Sequence, residues 1–130
     1  MTILVGYKGT NVGQDLLALA LTHAKAFKCD VLVVTSMKEG EEEDQTQINT
    51  AESNLDQALA FFSGKGIDCK THLLIRGMEP WEDLVSFAKQ NNVSEIIIGV
   101  KSRSKVGKIL FGSTAQSVII NAPCPVVSVR

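Results

Sequence analysis

The chain is poor in aromatic residues, in cysteine and in net charge, and each shortage removes a class of protein. Aromatics are 5% of the 130 residues, while hydrophobic residues together reach 45%. The core must therefore be built mainly from Ile, Val and Leu, the composition of buried parallel strands. The formal net charge is −1. A general nucleic-acid binder would be more basic, so that class is set aside. The three cysteines, Cys29, Cys69 and Cys124, are odd in number, widely spaced and without a C-x-x-C pair. That excludes a disulfide framework and fits a reducing compartment. No apolar run approaches membrane-spanning length, and Met1–Gly6 enters a strand without a basic n-region or a cleavage site. A cytoplasmic location with no membrane insertion is expected. The length predicts one domain over 1–130.

Several chemical motifs are missing as well. A Walker loop needs G-x-x-x-x-G-K-[ST], but Gly107-Lys108 is followed by Ile109, and Ser102 stands where the first glycine belongs. No G-x-G-x-x-G follows the first strand. His23 and His72 have no Cys or acid partner at ligand spacing, so no metal site is expected. A serine–histidine–acid set cannot be assembled either, and no catalytic residue is assigned. Trp81 is read as core or interface.

What is present is a regular change of period. Ile3-Leu4-Val5 is a short apolar run closed by Gly6. Leu16, Leu17, Ala20, Leu21, Ala24 and Phe27 recur at three- and four-residue steps, which predicts a helix from about Val12, with Thr10 or Asn11 as cap and Cys29-Asp30 as its end. Val31–Thr35 is a second strand, and Met37–Asp44 a polar loop without core residues. Ile48, Ala51, Leu55, Ala58, Leu59 and Phe62 mark a second helix, stopped by Gly64 and Gly66. Cys69–Ile75 is a third strand. Pro80 opens a third helix with Trp81, Leu84, Val85, Phe87 and Ala88 inward, and Asn91-Asn92 end it. Ile96-Ile97-Ile98 is a fourth strand. A long basic loop follows, then a helix over Ser113–Ile120 with Ala115, Val118 and Ile119 inward, and a last strand at Val126–Val129.

Alternating strands and helices predict an α/β fold: a single open, doubly wound parallel five-stranded sheet with helices on both faces. In such sheets ligands bind outside the carboxyl ends of the strands, where the strand order reverses. If strand one neighbours strand four there, two glycine-rich loops line one crevice, Gly6–Thr10 and Gly99–Thr114. The second carries Lys101, Arg103, Lys105 and Lys108, no acid, and ends on Gly112-Ser113-Thr114 at a helix N-terminus. Free N–H groups and the helix dipole favour an anion at such a place. The acidic run Glu41–Asp44 precedes a helix and reads as solvated loop.

The loop spacing is Gly99, two residues, Ser102, nine residues, then Gly112-Ser113. Here the sequence resembles the universal stress protein family, whose ATP-binding members carry G-x2-G-x9-G-[ST] between the fourth strand and the fourth helix. Ile3-Leu4-Val5-Gly6 leading to Gly9-Thr10 looks like the family's opening strand and small-residue turn. Ala122-Pro123-Cys124-Pro125-Val126-Val127 looks like its closing A-P-C-P-V segment. The resemblance covers essentially the whole chain. It implies the adenine-nucleotide alpha-hydrolase-like form of the fold, a stress-response role, a homodimer paired through the C-terminal edge strand, and ATP with Mg carried on its phosphates. Gly99, Lys101, Ser102, Arg103, Gly112, Ser113 and Thr114 would hold the phosphates. Gly6, Lys8 and Thr10 would border base and sugar, with Ile98 and Thr35 or Ser36 nearby.

Two positions depart from the pattern. Ser102 replaces the second glycine; it gives up backbone freedom but offers a hydroxyl to a phosphate oxygen. Lys8 stands where ATP-binding relatives usually have aspartate; it cannot accept a hydrogen bond from a ribose hydroxyl, but can reach a phosphate. Two functions stay open: a nucleotide-binding regulatory protein, and a dimeric interaction module of the same fold without nucleotide. ATP hydrolysis would need a general base that neither loop offers.

Overall fold

The computed structural model describes residues 1–8, 11–38, 44–103 and 109–130. Along the chain the elements are β1 (Thr2–Gly6), α1 (Asn11–Phe27), β2 (Asp30–Ser36), α2 (Gln45–Phe62), β3 (Cys69–Leu74) and α3 (Pro80–Gln90). They continue as β4 (Glu95–Gly99), β5 (Lys101–Arg103), β6 (Ile109–Phe111), α4 (Ser113–Asn121) and β7 (Val126–Val129). Five strands form one sheet in the order β3-β2-β1-β4-β7, every neighbouring pair parallel. This is the doubly wound α/β architecture expected from the alternating pattern. β1 is central and pairs with β4 through Ile3↔Glu95, Leu4↔Ile96 and Val5↔Ile97. The order therefore reverses at β1, as the crevice argument required.

Side chains alternate across the sheet. Ile3, Val5, Val31, Val33 and Ile97 face α1 and α2, where Leu16, Leu17, Ala20, Leu55, Ala58 and Phe62 pack on them. Leu4, Leu32, Val34, Ile96 and Ile98 face α3 and α4 and meet Leu84, Phe87, Ala88, Ala115 and Val118. Each fully buried aliphatic contributes about 1.5–3 kcal/mol. Helix ends follow local chemistry. Asp44 caps α2, its carboxylate accepting from the N–H groups of Thr46 (3.0 Å) and Gln47 (3.3 Å). Just past α1 and α3, Lys28 and Asn92 are left-handed (φ 54° and 50°). Each is followed by an N–H that reaches back five residues, Cys29 to Ala24 and Val93 to Ala88. Asp30 therefore opens β2 instead of closing α1.

The segment read as one long basic loop contains an antiparallel ribbon, with Lys101↔Phe111, Ser102↔Leu110 and Arg103↔Ile109 paired. Three-residue strands are too short to show a period, and the cations hide the apolar positions. Three residues expected to be core by their spacing, Phe27, Leu59 and Ile119, are exposed, and so is Ile75, expected in the third strand. Phe27 and Ile75 lie at or just past an element's end, and Leu59 and Ile119 stand one step beyond the buried Ala58 and Val118. Met37 differs in the opposite sense. Expected in a loop without core residues, it is buried, because its N–H continues the β2 pairing by donating to the Leu74 carbonyl (3.0 Å). His23 does meet an acid, Glu95, with Nδ1 and Oε1 at 2.6 Å, tying α1 to the start of β4. His72 packs its ring on Phe87.

All three cysteines are free thiols. Burial pushes the Cys69 thiol up to about 11 from an ordinary 9.0. The unfolded chain then loses this proton first, so stability is intact below pH 9 and falls as pH rises through 11. A thermal melting series over that window should show the decline, and Cys69→Ala should shrink it.

Candidate functional site

A cavity of about 330 Å³ opens at the carboxyl ends of β1, β2 and β4, on the α3/α4 side of the sheet. Its floor is shaped by Gly6. A Cβ at Gly6 would lie 3.1 Å from Ile98 Cγ2 and 3.4 Å from Leu84 Cδ1, so the missing side chain allows this close packing. Val34, Leu84 and Ile98 make apolar walls, and the first residues of α3 and α4, Pro80 and Ser113–Ala115, reach the rim. Behind β1, Tyr7 is buried against Gly13, where a Cβ would come within 2.7 Å of its ring.

One end of the cavity suits an anion. The cap of α4 is Gly112, in an extended conformation (φ −67°, ψ 144°), with no side-chain hydrogen bond and no acid in the first turn. The Gly112 N–H is used by the Val100 carbonyl (2.8 Å), and the first intrahelical bond runs from Gln116 N–H to the Gly112 carbonyl (3.1 Å). The N–H groups of Ser113, Thr114 and Ala115 are therefore the donors that a helix start leaves without intrahelical acceptors. Lys8, exposed at the end of β1, adds a cation. Among the described residues lining the cavity there is no carboxylate and no imidazole.

The opposite end is built from β2. Ser36 is 8% exposed and donates its hydroxyl proton to Asp83 Oδ2 at 2.9 Å. Asp83, in the first turn of α3, is completely buried and pairs through Oδ1 with the guanidinium of Arg76. Arg76 also donates to the Asp83 carbonyl (3.3 Å) and to Gln90 Oε1 (3.2 Å). Thr35, on the other face of β2, donates to the Tyr7 carbonyl (2.7 Å). A second cavity adjoins the first. Lys8 and Ser36 line both, and Thr46, Thr50 and Asn54 of α2 line its far side.

Of the residues singled out from the sequence, Gly6, Lys8, Ser36, Ile98, Gly99, Gly112, Ser113 and Thr114 come together around the first cavity. Lys101, Ser102 and Arg103 form the backbone of β5. Thr10, like Lys105 and Lys108, lies outside the described residues. Arg76 and Asp83 gave no sequence signal. Asp83 looks like an ordinary acid in a first helical turn, and only the register of β2 against α3 joins it to Ser36. Among the described residues, no three His, Cys, Asp or Glu side chains gather as for a metal, and no helix is long and apolar enough to cross a membrane.

A parallel sheet reversing at β1, with an apolar crevice and an uncapped helix start at that reversal, is the Rossmann-like nucleotide-binding type of α/β fold. The chain belongs to the universal stress protein family, whose model matches residues 1–130. A universal stress protein of Thermus aquaticus is 29% identical over 138 residues, covering 99% of this chain and 98% of the relative. A solved universal stress protein of Archaeoglobus fulgidus is 32% identical with a TM-score of 0.87, covering 99% of this chain and 97% of that one. A structure from the same organism, in complex with dAMP, is 28% identical with a TM-score of 0.82, covering 99% and 96%.

Proposed function

We propose that this chain is a stress-response regulatory protein that binds an adenine nucleotide between the loops after β1 and β4, with ATP as its ligand. The observation that carries this reading is the uncapped start of α4. Its first-turn N–H groups meet Lys8 across a crevice whose described lining holds no carboxylate. Gly99, Gly112, Ser113 and Thr114 hold the phosphates, with Lys101, Ser102 and Arg103 supplied by the ribbon. Gly6, Lys8, Thr10, Ile98 and Ser36 border base and sugar. Mg is carried on the phosphates, since the described lining offers it no carboxylate. The dAMP complex of the Archaeoglobus fulgidus relative, 28% identical, supports a nucleotide as the ligand. The role is regulatory, with at most weak ATP hydrolysis, since the described lining offers no general base for water. Three unpaired thiols support a cytoplasmic setting.

Calorimetric titration with dAMP, AMP and ATP, with and without Mg, tests the proposal. Saturable binding, with a melting temperature that rises with nucleotide concentration, is the expected result. No heat and no shift at millimolar nucleotide rejects it. Lys8 favours a second reading, an interaction module without nucleotide. If Lys8→Asp with Ser102→Gly creates ATP binding that the natural chain lacks, that second reading holds.

The homodimer belongs to the same proposal. β7 is an edge of the sheet, and Phe111, Ile119 and Ile120 are exposed on β6 and α4. Unpaired edges and exposed apolar side chains favour association with a second copy. Sedimentation velocity at micromolar protein should give a dimer; a monomer contradicts it.

A further inference from the structure

The polar group at the β2 end of the crevice has a fixed hydrogen-bond polarity. A carboxylate paired with a guanidinium accepts hydrogen bonds and does not donate them. The contact between Ser36 Oγ and Asp83 Oδ2 at 2.9 Å therefore consumes the only proton of the hydroxyl. Asp83 is fully buried, and its other oxygen is held by Arg76, so the carboxylate has no freedom to release Ser36. Toward the crevice Ser36 offers lone pairs alone. A phosphate oxygen or a carbonyl there would face another acceptor, whereas an N–H would meet a partner. The anion end, Ser113 and its neighbours after β4, lies across β1 from Ser36. Two strand spacings, roughly 10 Å, separate β2 from β4, a span suited to the distance between the base and the phosphate of one nucleotide.

We propose that Ser36, oriented by Asp83, is a specificity-determining residue that selects a 6-aminopurine nucleotide over a 6-oxopurine one. The inference rests on the nucleotide reading above and adds to it the side chain that reads the base. The exocyclic amine of a 6-aminopurine donates to Ser36 Oγ. The 6-oxo group sets oxygen against oxygen, so the pair makes no hydrogen bond. Asp83 is a positioning residue, since it acts through Ser36. Its role has a distinctive consequence. In Asp83→Asn, Arg76 can only donate, so it holds the amide oxygen at the Oδ1 position and turns the amide nitrogen toward Ser36. Ser36 then accepts from that nitrogen and directs its own proton into the crevice. The preference should invert.

The test is calorimetric titration of the full chain with AMP and with inosine monophosphate. The natural protein should prefer AMP by about tenfold or more, the effect of one unmet buried hydrogen bond. Ser36→Ala should bring the two affinities to within a few-fold, and Asp83→Asn should favour inosine monophosphate. Equal affinities in the natural protein, or a preference that survives Ser36→Ala, overturn the assignment and leave the nucleotide site standing. Failure of both nucleotides to bind overturns the nucleotide reading, and this proposal with it. Circular dichroism reports folding of each variant. Ser36→Ala decides the matter even if Asp83→Asn does not fold.

Discussion

Replacing Arg76 by methionine is expected to destabilise the protein by about 3–5 kcal/mol, the usual result of removing one partner from a buried ion pair. Asp83 has no exposure at all, whereas the Arg76 side chain keeps 31% of its own. The loss is therefore asymmetric. Without Arg76 the carboxylate stays buried with Ser36 as its remaining side-chain partner among the described contacts. Without Asp83 the guanidinium can turn to water, so Asp83→Ala should cost less, about 3 kcal/mol. Urea denaturation of the three proteins at pH 7 gives the ranking. Arg76→Met combined with Asp83→Asn should be less destabilised than the sum of the single changes, since the two groups are in contact. Additive losses would mean that the pair contributes nothing beyond its separate parts.

Replacing Ser113 by glutamate should separate stability from binding by giving them opposite signs. Ser113 is exposed at the first position of α4, which lacks both a side-chain cap and an acid in its first turn. A carboxylate there complements the helix dipole and should stabilise the fold by about 0.3–1 kcal/mol. The same charge would sit where the phosphates of a nucleotide are to be held. Like charges brought together cost several kcal/mol, so nucleotide affinity should fall by about a hundredfold or more. Ser113→Ala is the control. It removes one hydroxyl and leaves the N–H donors, so the affinity loss should stay near tenfold. Melting curves and titrations on the same samples read both effects. A Ser113→Glu protein that is more stable yet binds nucleotide as before would move the phosphates away from α4.

Most of this fold was legible because its signals are local and repeated. Ile3-Leu4-Val5, Val31–Val34 and Ile96-Ile97-Ile98 are buried on both faces and read as continuous apolar runs. The helices declare themselves by their three- and four-residue steps, and Pro80, Gly64, Gly66 and Asn92 punctuate them as their backbone preferences dictate. Six residues of the two glycine loops, Gly6, Lys8, Gly99, Gly112, Ser113 and Thr114, meet at one cavity because strand ends in such a sheet share one edge. The ribbon of β5 and β6 was hidden, since three-residue strands carry no period.

By itself the sequence determined the five strands of the sheet and its four helices, that the sheet is parallel, and that the loops after β1 and β4 flank an anion-favouring helix start. These follow from side-chain periodicity and turn chemistry, which act over a few residues. Only the tertiary structure decided what lies opposite that anion end. Ser36 and Asp83 are 47 residues apart and meet because β2 runs beside α3. His23 and Glu95, 72 residues apart, meet for the same kind of reason. No spacing encodes such contacts, because sheet register brings the partners together. The polarity that Asp83 and Arg76 impose on Ser36 is a property of the assembled fold alone.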